Sequence, residues 1–479
     1  MPVTHSLAIH RAASSVAAAV SRFIAFSPVA TNALAVALAV APAVAPVVAP
    51  VVAPVVAPVA AGAQATGSAI SPVTAIRAAR LIVGDGSTVD QPVILVQGDR
   101  IVAVGPAARV AVPRGATVID LPGHTLLPGL IDCHTHINSA DADGGDMSAL
   151  RETGAHAAIY GVVNAKKTLE AGFTTLRDVG ATHWADVALR DLINKGVVPG
   201  PRLYVAGPSL GITGGHADVN GWSPELSIPG TGAIVDGVDN VRKQVRTNVK
   251  YGADHIKITA TGGILSSGDA VTASAYSEEE LRAIVEEATR LGRKVEAHAH
   301  GATGLLAAVN AGVASIEHGS LIDDAGIAAM KQRGTYLVPT LIILEEIIKN
   351  GKKNGTPDYA IAKAKAIEGD RRTRLRAAYK AGVKFAFGTD ATSDIHGRNG
   401  EEFALLVDQL GATPMEAILL ATRNAADLIG IGDKAGSVTT GKWADIVAVE
   451  GNPLDDVRRL EKVVFVMKGG EVVKRPAGR

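Results

Sequence analysis

Two histidines one residue apart, His134 and His136, stand near the end of the apolar run LPGLIDCHTHIN, Leu127 to Asn138. In a strand alternate side chains share a face, so the two imidazoles point one way while Cys133 and Thr135 point the other. Paired imidazoles at the end of a buried strand make half of a metal site. Other apolar runs end in the same manner: Lys257 in HIKIT, His298 and His300 in EAHAHG, His318 in SIEHGS and Asp390 in FGTDA. One such histidine can be a hydrogen-bonded core residue. Five histidines, an aspartate and a lysine at corresponding ends of different strands instead converge on one point, as metal ligands do. Imidazole and carboxylate suit Zn, Fe, Ni or Mn, with zinc expected, and the lack of cysteine ligands speaks against a structural zinc site.

Lys257 is the odd member, sharing a strand face with His255 and Thr259. An ammonium group beside divalent cations would be repelled. Either the lysine is displaced or pairs with an internal acid, or its amine is converted into an anion. A carbamate formed with carbon dioxide would supply two oxygens, enough to bridge two metals.

Chemistry at strand ends requires a scaffold that gathers those ends. Eight strand candidates alternate with helical segments: 127–134, 173–179, 202–206, 255–259, 294–300, 314–318, 336–343 and 384–390. Eight βα units predict an α/β fold, a (β/α)8 TIM-like barrel over 127–430 with its chemistry at the C-terminal strand ends. One helix start is well marked, because Ser277 and Glu280 have capping-box spacing ahead of a helical pattern that stops at a glycine. Short alternating segments with Gly-Asp and Pro-Gly turns fill 76–126, and the same texture returns in 431–475. They predict one small β-sandwich built from both termini.

The 479 residues are 47% hydrophobic and 20% charged, with formal net charge 0 and no dense basic run outside scattered positions such as Arg371 to Arg376. Electrostatics therefore give no case for nucleic acid, and a small-molecule partner is expected. A single cysteine, Cys133, excludes an intramolecular disulfide. Residues 1–65 differ from the rest: His5, His10, Arg11 and Arg22 precede an Ala/Val run in which Pro42, Pro46, Pro50, Pro54 and Pro58 recur every fourth residue. Such spacing cannot continue as a membrane-spanning helix. The basic start, the short apolar stretch from Ala33 to Ala41 and the small-residue site Ala63-Gln64-Ala65 read as a secretory signal peptide with a long spacer. Its removal would leave a periplasmic or secreted protein without a membrane segment; an Ala/Pro tail or a misassigned start codon is the alternative.

In chain order PGLIDCHTH, DHIKI, EAHAHG, SIEHGS and FGTDA, followed by GSVTTGKWADIVAVEGNPL, resemble the amidohydrolase superfamily. The chain is most similar to its binuclear imidazolonepropionase-like subgroup, which includes Xaa-Pro dipeptidases and ochratoxin-degrading amidohydrolases, and the likeness runs from about Ile76 to Lys474. It implies that His134, His136 and Asp390 hold one divalent ion and His298 and His318 the other, bridged by N6-carboxylated Lys257 and a hydroxide that attacks an amide. Asp390 would take the hydroxide proton and pass it to the leaving amine. His216, in TGGHAD, would polarise the scissile carbonyl or stabilise the oxyanion. His300 would face the substrate, and Tyr276 would bind it or else pack at the helix start. Asp132 and Asp178 would hold loops through backbone N–H groups. Arg398, in SDIHGRNGEEF, departs from the less basic residue expected there; it could bind a substrate carboxylate bidentately or lie at the surface.

The implied reaction is hydrolysis of amide or peptide bonds in carboxylate-bearing substrates: Xaa-Pro or other dipeptides, N-acyl amino acids and ochratoxin-type aryl amides. A mononuclear cyclic-amide hydrolase is the second enzymatic reading, opposed by Lys257, since a bridging carbamate has no purpose with one metal. A non-catalytic assembly protein would lack ligands, whereas all six positions are filled here. The resemblance also implies a homo-oligomer, with an octamer expected.

Overall fold

The computed structural model describes residues 72–140, 151–228 and 230–476, and the expected signal peptide in residues 1–65 lies outside them. The N-terminal strands are β1 (Val73–Ile82), β2 (Thr88–Asp90), β3 (Pro92–Gln97), β4 (Arg100–Pro106) and β5 (Thr117–Pro128). The central region carries β6 (Leu130–Thr135), β7 (Phe173–Asp178), β8 (Arg202–Val205), β9 (Leu210–Gly211), β10 (Ala233–Ile234), β11 (Ile256–Thr259), β12 (Val295–Ala299), β13 (Ser315–His318), β14 (Tyr336–Val338) and β15 (Lys384–Phe385). After further helices come β16 (Ile446–Glu450), β17 (Val463–Lys468) and β18 (Glu471–Lys474).

Strands from the two ends of the sequence share one sheet, ordered β18-β17-β16-β5-β1-β3-β4 with β2 on β1. β5 joins the halves, running parallel to β1 and antiparallel to β16, where Leu126 faces Ala448. Its apolar face is built jointly, from Ile76, Leu121 and Leu126 on one side and Ile446, Phe465 and Met467 on the other. Neither half could bury that surface alone. The sheet also turns back on itself, because Ile101 donates to Lys442 O (3.0 Å) and Ala444 donates to Asp99 O (2.8 Å).

β5 passes into β6 across Gly129 alone, where a Cβ would lie 2.1 Å from Thr174 Oγ1, so only glycine fits. From β6 to β15 every strand pairing is parallel. One sheet runs β6-β7-β8 and the other β10-β9-β11-β12-β13-β14-β15. Backbone bonds join them on both sides: Asp254 donates to Val205 O (2.7 Å), and Cys133 donates to Phe387 O (2.9 Å). β6, β7, β11, β12 and β13 are buried throughout, as parallel strands covered on both faces must be.

The capping box forms as its spacing predicts. Ser277 N–H donates to Glu280 Oε2 (2.9 Å), Glu280 N–H donates to Ser277 Oγ (3.3 Å), and the helix Glu278–Arg290 follows. Two strands differ from expectation. The run 336–343 is strand only to Val338, because Pro339 has no N–H, Thr340 takes φ 45°, and Leu341–Asn350 is a helix. The run 384–390 is strand only at Lys384 and Phe385; the remainder follows β6 through single bonds such as Asp390 N–H to His134 O (2.8 Å). Among the described residues no helix is long and apolar enough to cross a membrane.

Candidate metal centre

β6 carries His134 and leads directly into His136, and the chain beyond β15 brings Asp390 against them. Asp390 Oδ1 lies 3.3 Å from Nε2 of each imidazole. β12 supplies His298 and leads into His300, β13 ends in His318, and these three rings have centroids 4.7–4.8 Å apart. Two sets of donor atoms each fall within 4.8 Å of one another: His298, His300 and His318; and His134, His318 and Asp390. His318 belongs to both. Lys257, on β11, is 4% exposed, and no hydrogen bond engages its amine among the described residues. The positive φ angles of His318 (70°), Thr340 (45°) and Asp390 (56°) put three non-glycine residues in left-handed backbone at this one place. Such strain collects where a site demands a particular aim of the side chain.

The imidazoles are oriented from behind. His134 Nδ1 is bonded to Glu317 Oε2 (2.7 Å), His136 Nδ1 to Gly180 O (3.0 Å), His300 Nδ1 to Ser320 Oγ (2.8 Å) and His318 Nδ1 to Thr340 Oγ1 (2.7 Å). Each leaves Nε2 uncommitted by that bond. His298 is the reverse, with Nε2 on Gly262 O (3.3 Å) and no hydrogen bond to Nδ1 among the described residues. One nitrogen held and the other presented is the arrangement metal-ligating histidines adopt, so this donor set fits divalent ions.

Charge follows the same design. Burial drives His298 and His318 well below the usual histidine range, with neighbouring imidazoles adding to the effect, so both are neutral as ligands must be. Burial lowers His216 to about 4 and His300 to about 3. Asp390 runs the other way: burial raises it, but His134, His136 and His318 together outweigh that and keep it ionised. Beneath the site, burial of Glu317 is overcome by Arg177 and His134, which hold it at about 2; Arg177 Nη2 donates to Glu317 Oε1 (2.7 Å). Burial also depresses Lys257, against the opposing pull of Glu317, Glu296 and Asp390.

The remaining expected site residues divide. His216 stacks on His298 at 4.2 Å, its Nδ1 bonded to Ser266 Oγ (2.8 Å), and Ser266 in turn donates to Asp269. Lys363 holds that loop by bonds to Gly263 O (2.9 Å), Ser266 O (2.7 Å) and Asp269 Oδ1 (3.0 Å). A cleft with about 420 Å³ of empty space, open to solvent, is lined by His216, His298, His300, His318 and Asp390. Tyr276 is buried, its hydroxyl has no partner among the described residues, and it packs in the main apolar core. Arg398 does not border the cleft: Nε and Nη2 bond to the Glu401 carboxylate (2.8 and 2.9 Å), and Glu346 lies at 3.3 Å. Asp132 accepts the N–H groups of His134 and Thr389, and Asp178 that of Ile137, so both brace the rim's backbone.

Sequence reasoning missed Glu317 and Arg177. An acid inside the apolar run SIEH and an arginine inside TTLRDV were the available signals, since charges in buried strands need partners.

A family model described as the amidohydrolase family matches residues 125–473. The ochratoxinase of Aspergillus niger is 35% identical over 431 residues, covering 84% of this chain and 87% of that one. A crystal structure of a Xaa-Pro dipeptidase with bound methionine in the active site superimposes with TM-score 0.79 at 38% identity, covering 84% of this chain and 100% of that one. The imidazolonepropionase of Rhizobium rhizogenes is 27% identical over 387 residues, covering 75% of this chain and 86% of that one. With its histidines and aspartate gathered at the ends of parallel strands, the chain belongs to the amidohydrolase family and is a hydrolase acting on amide bonds.

Proposed function

We propose that the parallel strands form a (β/α)8 barrel with a binuclear metal site at its rim, which hydrolyses amides bearing a free carboxylate. The observation that carries this reading is the pair of donor sets sharing His318. His134, His136 and Asp390 would hold one ion, His298 and His318 the other, with N6-carboxylated Lys257 between them. Zinc is the ion proposed, and ions bound there would polarise the scissile carbonyl and acidify a water. Burial, lowered basicity and freedom from hydrogen bonds favour an uncharged Lys257 amine, the form that combines with carbon dioxide.

Asp390, kept ionised beside His134, accepts the proton of the attacking water and returns it to the leaving nitrogen. His216 and His300, both neutral and both on the cleft, orient the carbonyl. A relative that cleaves Xaa-Pro dipeptides and another named for ochratoxin support a carboxylate-bearing leaving amino acid. Export directed by residues 1–65 and assembly as a homo-oligomer, an octamer in the full reading, belong to the same proposal.

Metal content per chain, measured with release of free amino acid from Xaa-Pro dipeptides, N-acyl amino acids and ochratoxin A, tests it. Two ions with cleavage are expected. One ion with turnover of cyclic amides alone would replace this reading with the mononuclear one.

A further inference from the structure

Arg371 lies within the helix Asp358–Lys380, is 2% exposed, and borders the same cleft as His300 and Asp390. A buried guanidinium normally sits on a carboxylate, because an unpaired charge away from water is among the costliest groups a fold can hold. Arg371 has no such partner among the described residues. Its hydrogen bonds go to neutral acceptors, Leu341 O (3.4 Å) and Gln409 Oε1 (3.2 Å), and its Nε has none. Glu402 and Glu345 act on it from beyond ion-pair distance, and burial pushes Glu402 up to about 8, so that carboxyl is largely protonated near neutrality. The cleft also has an apolar wall, formed by Ile264, Leu265, Ile343, Leu344 and Ile347.

We propose that Arg371 is a specificity-determining residue that receives the free carboxylate of the substrate, while the apolar side chain or ring of the same amino acid lies along the isoleucine and leucine wall. This rests on the amide-hydrolase reading above and narrows it to amides whose leaving amino acid is apolar and ends in a free carboxylate. The planar fork of arginine suits a carboxylate. Arg398, which the sequence offered for this task, already spends its fork on Glu401.

The test compares N-acetyl-phenylalanine with N-acetyl-phenylalaninamide, which share the scissile bond and differ in terminal charge, on metal-loaded wild-type enzyme, R371M and R371K. Wild type is expected to prefer the acid by about a hundredfold in kcat/KM, R371M to collapse that ratio to within a fewfold of one, chiefly through KM, and R371K to keep part of it. Equal use of both compounds by wild type, or a wild-type ratio in R371M, overturns the proposal. Equal loss on both compounds in R371M also overturns it, since that marks a merely structural arginine. Calorimetric binding of free phenylalanine gives a readout without turnover, expected to weaken about a hundredfold in R371M. Carboxylate binding lost in R371M with no hydrolysis in wild type would uphold Arg371 and count against the reaction; hydrolysis without discrimination would count against Arg371 alone.

Discussion

Lys257 is the residue at which the two-metal reading is most exposed to test. Glu296 stands opposite it on β12 and Glu317 acts on it from β13, yet its amine makes no ion pair among the described residues. A lysine retained merely for packing would be expected to settle on one of those acids. Lys257→Ala is therefore expected to lower bound metal from two ions per chain to one or fewer and to cost at least about a hundredfold in turnover, since even partners behind a ligand are worth ten- to a hundredfold. Wild type exposed to ¹³C-labelled carbon dioxide is expected to show a carbamate carbonyl signal that K257A lacks. Two bound ions without that signal would end the carbamate assignment. The gathering of these candidate ligands was legible because each polar side chain interrupts an apolar run, where burial makes it conspicuous. Arg371 was not: it opens the charged stretch Arg371–Arg376, which reads as a solvated helix face, and only packing of the long helix against the cleft buries its first member.

Elements place these residues through their ends. The capping box at Ser277 and Glu280 was readable because its bonds are local, spanning three residues. The helix Leu341–Asn350 was not, because LIIL suits a buried strand as well as a helix, and what decides between them is distant. Glu402 accepts the N–H groups of Leu341 and Ile342 (2.8 and 2.7 Å), supplying from another helix the cap that the local sequence lacks. That cap is buried, and desolvation raises its carboxyl from 4.5 to about 8 despite the two N–H bonds and the pull of Arg371. The folded state thus holds this proton more tightly than the unfolded chain. Its contribution to stability is complete below about pH 4.5 and lost as pH rises through about 8. Glu402→Gln, neutral at every pH, is expected to melt close to wild type at pH 5 and above it at pH 9, the gap reaching on the order of a few kcal/mol. Other buried carboxyls titrate equally in both proteins and cancel in the difference. A gap that does not widen between pH 5 and pH 9 would show that Glu402 is not protonated in this window.

Across the whole molecule, the candidate ligands are drawn from strands remote in sequence and held at one place. The terminal sheet works in the same way, since β5 and β16 complete a core that neither end possesses alone. This long-range pairing was legible because alternating texture recurs only in 76–126 and 431–475; the single continuous sheet was not, because register depends on tertiary bonds such as those of Ile101 and Ala444. Bound ions would add a further tie, between β6, β11, β12, β13 and the chain beyond β15, at a place where three residues hold left-handed backbone and several neutral imidazoles face one another. Ions bind the folded arrangement and not the unfolded chain, so they stabilise by mass action, by about 2.7 kcal/mol at a free concentration a hundred times Kd. Stripping the purified protein with a chelator is accordingly expected to lower its melting temperature by on the order of 5 °C, with full recovery on adding back a divalent cation. In K257A the same treatment should produce a smaller shift, because fewer ions are present to lose. A melting temperature indifferent to metal, in protein verified to have held two ions and then none, would mean that the rim is rigid without them and that its left-handed residues are held by Glu317, Thr340 and the backbone bonds alone.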